Sequence, residues 1–81
     1  MASMFLLLQA DPGHAGSLAR AVEALPDVIS AVVTSGPYDV VAEVGPADAE
    51  RQAAIRDHVR QASGLARLCI CRPQVPRAVQ A

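Results

Sequence analysis

The densest run of chemistry-bearing side chains is Thr34-Ser35-Gly36-Pro37-Tyr38-Asp39. Hydroxyls, a phenol and a carboxylate surround a Gly-Pro pair. Gly-Pro punctuates a turn, and turns can present converging backbone N–H groups. Pro37 has no N–H to give. Tyr38 can wall a pocket or donate its hydroxyl. This is binding chemistry. The plainer reading is hairpin chemistry, in which Gly36 and Pro37 make the turn and Asp39 caps free backbone N–H groups. No nucleophile elbow, phosphate loop or acid/base pair accompanies it, so no catalytic residue and no enzymatic activity is expected.

Cys69 and Cys71 form the second candidate group, with His14 and His58. Residues two apart on a strand face the same way, so two thiolates can share a metal if a third ligand converges. His14 and His58 fall on the expected helices, which cover the opposite sheet face. Buried cysteine is commonly a small hydrophobe, and at about 6.6–6.8 Å between Cα atoms the pair sits at the far edge of disulfide reach. No metal and no cofactor is expected.

Turn signals cut the chain into the elements that must position these residues. Met4 to Gln9 is a short apolar run that stops at Asp11-Pro12-Gly13, as a buried strand would. Leu18, Val22 and Leu25, with Ala15 and Ala21, make one helical stripe, with Asp11 as its cap, Pro12 at its first position and Pro26-Asp27 as its end. Val28–Ser35 and Tyr38–Val44 are β-branched runs around the Gly36-Pro37 turn and read as a hairpin. Ala47–Ala62 is a second helix with Ile55, Val59, Ala62 and Ala54 on its apolar side. Asp48 and Glu50 sit near its start, and Arg56, His58 and Arg60 near its end, as the helix dipole favours. Ser63-Gly64 stops it, and Leu65–Arg72 is the last strand. Residues 1–72 are expected to form one domain, with 73–81 an extended or mobile tail.

The order βαββαβ is the ferredoxin-like arrangement, an α+β fold. Right-handed crossovers put both helices on one face of a four-stranded antiparallel sheet. Yet both faces of the strands read as apolar. Leu6 and Leu8 oppose Phe5 and Leu7, Val28 and Val32 oppose Ile29 and Val33, Val40 and Val44 oppose Val41, and Leu68 and Ile70 oppose Cys69 and Cys71. An uncovered apolar face of that size is a liability, and a second copy packed sheet to sheet removes it. Val41 is expected on the partner face. So are Glu43 and Arg67, which would pair across the dimer.

The stretch Gly36-Pro37-Tyr38-Asp39-Val40-Val41-Ala42-Glu43-Val44 resembles the G-x-[YF]-D-hydrophobic hairpin of the Lrp/AsnC regulators. Leu25-Pro26-Asp27-Val28, Asp11-Pro12-Gly13 and Ser63-Gly64-Leu65 resemble turns of the same family's ligand-binding (RAM) domain, so the likeness spans residues 4–72. The resemblance implies sheet-to-sheet dimers that assemble further, and amino acids bound between dimers near the G-x-Y-D turn. It thereby implies a ligand-binding role for Thr34, Ser35, Gly36, Tyr38 and Asp39. Asp39 would take the ammonium group, and the N–H groups around Ser35 and Gly36, with the Thr34 hydroxyl, the carboxylate. The chain has no room for the family's helix-turn-helix, so a stand-alone sensing module is expected, with a DNA-binding paralogue as a candidate partner. The alternatives are a dimeric α+β barrel enzyme, such as a small monooxygenase, and a purely structural partner-binding module.

Bulk composition agrees with a binding module. Eighty-one residues suffice for one thin-cored domain. The hydrophobic fraction is 52% but aromatics are 2%, so Val, Leu, Ile and Ala must build the core. Seven basic against eight acidic residues leave no basic stripe for phosphates, and base-stacking aromatics are lacking. The run from Met4 to Leu8 is too short for a signal core or a membrane span. A cytoplasmic location, with no direct nucleic-acid or membrane contact, is the expectation.

Overall fold

A computed structural model describes residues 3–73. The expectation of a mobile tail at 73–81 lies, apart from Pro73, outside these residues. The elements are β1 (Met4–Ala10), α1 (Ala15–Glu23), β2 (Val28–Val33), β3 (Val40–Val44), α2 (Ala49–Arg60) and β4 (Leu65–Cys71). They form one antiparallel sheet in the order β2-β3-β1-β4, the ferredoxin-like arrangement expected. No helix among the described residues is long and apolar enough to cross a membrane.

Alternation on the two central strands builds the core. Met4, Leu6 and Leu8 of β1 and Val40, Ala42 and Val44 of β3 are wholly buried, in register with one another. Leu18, Ala19 and Val22 of α1 and Ile55 and Val59 of α2 close over them. Each fully buried Leu or Val contributes about 1.5–3 kcal/mol. The edge strands bury less: Val28 and Ala31 of β2 and Leu65, Leu68 and Ile70 of β4 are only partly covered.

Several local expectations are corrected. α1 begins at Ala15, not at Pro12, and Asp11 does not cap it, because Gly13 has φ +82. Pro12-Gly13 instead occupies the centre of a turn closed by the His14 N–H on the Asp11 carbonyl at 3.0 Å, and Pro followed by a left-handed Gly is the type II pattern. The buried stripe of α1 takes Ala19 in place of Ala21, and that of α2 takes Gln52 in place of Ala54. On β2 the register shifts between Val28 and Ser30, so that Val28 pairs with Val44 but Ser30 with Glu43. Ile29 is the extra residue of a bulge. Val28 and Val32 therefore lie on opposite faces, not the same one: Val28 packs on the core and Val32 pairs with Val41 on the open face. The strands of the hairpin are also shorter than expected, ending at Val33 and starting at Val40.

α2 starts at Ala49 rather than Ala47 and ends at Arg60 rather than Ala62: the Asp48 side chain, expected only as a charge near the helix start, accepts the Arg51 N–H at 2.8 Å, an N-cap worth about 1 kcal/mol. After α2 the chain turns at Gly64, φ +88, whose carbonyl accepts the Asp11 N–H at 2.7 Å. A Cβ at Gly64 would stand 2.7 Å from the Cβ of His14, a clash that no rotamer change relieves. Gly64→Ala should therefore destabilise the domain by more than the ~1–2 kcal/mol that left-handed backbone alone costs a residue with a Cβ. Urea denaturation measures this, and an unchanged midpoint would mean the turn is free to adjust.

Candidate functional site at the β2–β3 hairpin and the open sheet face

The hairpin tip brings its polar residues together, but mostly to hold itself. The Thr34 N–H donates to the Asp39 carbonyl at 2.8 Å, and the Thr34 hydroxyl to the Tyr38 carbonyl at 2.8 Å. The Asp39 N–H donates to the Leu8 carbonyl at 2.8 Å, continuing the sheet past its last formal pair. The Asp39 carboxylate accepts the Ala10 N–H through Oδ2 at 2.8 Å, where the β1–β4 register shifts between Gln9 and Ala10. Gln9 adds a second tie, donating Nε2 to the Pro37 carbonyl at 2.8 Å. Gly36, at φ +122, takes a backbone conformation that side-chain-bearing residues rarely adopt.

Thr34 and one oxygen of Asp39 thus do hairpin chemistry. Asp39 Oδ1, the Ser35 hydroxyl and the N–H groups of Ser35, Gly36 and Tyr38 have no acceptor or donor among the described residues. A carboxylate oxygen and turn N–H groups, an acceptor and several donors, are thus left open within a few residues of one another in the chain. Gln9 and Ala10, which anchor this tip, come from a strand distant in sequence, and no spacing pattern points to them.

Tyr38 lies over the face away from the helices. Its phenol is pushed above its usual range, first by the Cys69 thiol as hydrogen-bonding neighbour and then by that thiol's charge when ionised, while Arg67 pulls the other way. Cys69 pairs with Leu7, and Cys71 with Phe5. Phe5, Leu7, Val32, Val41 and Cys69 hence share one face with Ser30, Glu43 and Arg67. All are half-buried or exposed, and no helix lies over them. No three potential ligands converge on a metal among the described residues.

A cavity of about 240 Å³ opens on the other side of the molecule, lined by Leu25, Pro26, Asp27, Arg51, Ala54, Ile55 and His58. None of these residues stands out as a binding residue in the sequence, because the wall is assembled from two separated segments.

Asp39→Ala should cost about 1 kcal/mol by leaving the part-buried Ala10 N–H without its acceptor. In a domain this size that lowers the melting temperature by about 4–8 °C. A variant as stable as the parent would show that water replaces the carboxylate without loss.

No protein-family model matches the sequence, and no curated protein does. Solved structures do. TTHA0845 from Thermus thermophilus is 26% identical, with a TM-score of 0.83 over 95% of this chain and 100% of that one. The E. coli Tat proofreading chaperone protein NapD is 18% identical, with a TM-score of 0.75 over 93% of this chain and 79% of that one. A transcriptional regulatory protein of the AsnC family, PF0864 from Pyrococcus furiosus, is 17% identical, with a TM-score of 0.68. That match covers 93% of this chain and 52% of the regulator, so the likeness concerns about half of that protein. The chain has the ferredoxin-like βαββαβ fold that the AsnC-family regulator carries over about half its length.

Proposed function

We propose that the protein is a regulatory binding module of the Lrp/AsnC type, self-associating through its open sheet face and sensing a small molecule, in first place an amino acid, at the hairpin tip. The observation that carries this reading is the open face. Phe5, Leu7, Val41 and Val32 lie there in adjacent rows with no helix over them. A second copy, related by a two-fold axis, covers such a face with its own. Glu43 pairs with Phe5 and Arg67 with Gln9, so the two charges lie toward opposite ends of β1. A two-fold packing that inverts one sheet over the other brings them into reach of each other. Asp39 Oδ1 and the free N–H groups of Ser35 and Gly36 suit an ammonium and a carboxylate respectively. In an assembly, the tip's exposed residues also meet a neighbouring copy, which would complete the pocket that a single chain leaves open. The role is non-catalytic, and a DNA-binding protein with the same fold is a partner the open face suits equally.

A second reading is a partner-binding module without a small ligand. The likeness in fold to a proofreading chaperone favours it.

Val41→Lys places an ammonium group in the middle of the open face and should convert the dimer to monomer, as read by light scattering. A variant that stays dimeric means that the chain associates by other surfaces. A thermal-shift screen against the standard amino acids at millimolar concentration separates the two functions. A ligand at 100 times its Kd adds about 2.7 kcal/mol of stability, which moves the melting temperature by several degrees. A screen silent for every amino acid supports the partner-binding reading.

A further inference from the structure

The cavity on the helical side has a definite construction. Arg51, Ala54, Ile55 and His58 lie three, one and three residues apart on α2, so they share one stripe of that helix. The opposite wall is the turn between α1 and β2: Leu25, Pro26 and Asp27. Ile55, buried also in the core, is its floor. Walls of Leu, Pro, Ala and Ile make the interior apolar. At about 240 Å³ it falls just below the range of about 300–1,000 Å³ typical of drug-sized ligands, which points to a small metabolite.

The charges sit together. Arg51 Nη2 donates to Asp27 Oδ2 at 2.5 Å. This contact uses one donor of the Arg51 fork and one oxygen of Asp27. Asp27 Oδ1 and the remaining guanidinium N–H groups engage nothing else among the described residues. Asp27 is also held firmly. Its backbone has φ +68, unusual for a residue with a side chain, and its carbonyl accepts the Gly45 N–H at 2.8 Å. A site with one anion and one cation paired at its rim, where the Arg51 side chain is 60% exposed, next to a small apolar pocket, matches a zwitterion with an apolar group. Binding such a ligand does not require breaking the ion pair.

We propose that this cavity binds a free α-amino acid with an aliphatic side chain. The ammonium group lies on Asp27 Oδ1, the carboxylate on the open edge of the Arg51 guanidinium, and the side chain against Leu25, Ala54 and Ile55. The ligand class overlaps with that of the sensing reading above, but the site is a different one. It faces away from the open sheet face, so it stays accessible when two copies pack sheet to sheet.

The test is two-dimensional amide NMR of the full chain titrated with L-leucine, with 4-methylpentanoic acid and isopentylamine as the halves of the zwitterion. Shifts are expected at Leu25, Asp27, Arg51, Ala54, Ile55 and His58. Arg51→Gln should weaken leucine about tenfold or more, the worth of one charged hydrogen bond, and Ala54→Phe, which blocks the mouth from an exposed helix position, should abolish leucine binding at this site. Either half of the zwitterion should bind at least about tenfold more weakly than leucine. Leucine shifts confined to residues 34–39 overturn the cavity site and leave the hairpin reading standing. Shifts in the cavity without any at 34–39 do the opposite. Undiminished affinity in a folded Ala54→Phe variant overturns the cavity site, and 4-methylpentanoic acid binding as tightly as leucine overturns the role of Asp27. No shift anywhere at saturating solubility overturns both sites.

Discussion

A sheet has two faces, and both helices of this chain lie on the same one. Everything else follows from that geometry. β1 and β3, the central strands, place Leu6, Leu8, Val40 and Ala42 under the helices and Phe5, Leu7 and Val41 on the side that the helices do not reach. With so few aromatics, the core is made of close-packed aliphatic side chains, and the central strands can only complete it by being apolar on every alternate residue. That the intervening residues are apolar as well is not required by the monomer. It makes sense if the second face is also an inside.

The order of elements and the facing of the central strands and of β4 from Arg67 to Cys71 were legible in the sequence, because side chains alternate strictly along an unbroken stretch of strand. β2 was not, because one bulge residue, Ile29, resets that alternation. Nothing in Val28-Ile29-Ser30 announces it, and the irregularity is visible only in the pairing with β3. The start of α1 is hidden in the sequence for a related reason. Asp-Pro-Gly suits both a helix start and a tight turn, and the left-handed Gly13 decides for the turn. Asp48 was legible only as a favourable charge near the start of α2; that it is the cap depends on where the helix begins, at Ala49.

The hairpin residues Thr34 to Asp39 show how closely structural and binding chemistry overlap. Asp39 gives one oxygen to the Ala10 N–H and keeps the other open, so a single carboxylate serves both readings of the motif. The tip is thereby tied to β1 at Leu8, Gln9 and Ala10, and any displacement of it acts directly on the central strand. The cavity walls, in contrast, come from the α1–β2 turn and one stripe of α2. Their proximity depends on the packing of the helix layer, which no local pattern encodes.

The bulge on β2 has a further consequence for the solubility of the molecule. β2 is an edge strand, and Ile29, Val32 and Val33 are 60%, 52% and 56% exposed. A flat, apolar edge of this kind is a template on which other chains can stack into fibrils. The extra residue at Ile29 breaks the regular spacing of hydrogen-bonding groups and increases the local twist. A strand arriving from another molecule can align with only a few residues of β2 before the register fails. The same irregularity that conceals the strand's facing in the sequence thus protects it from aggregation.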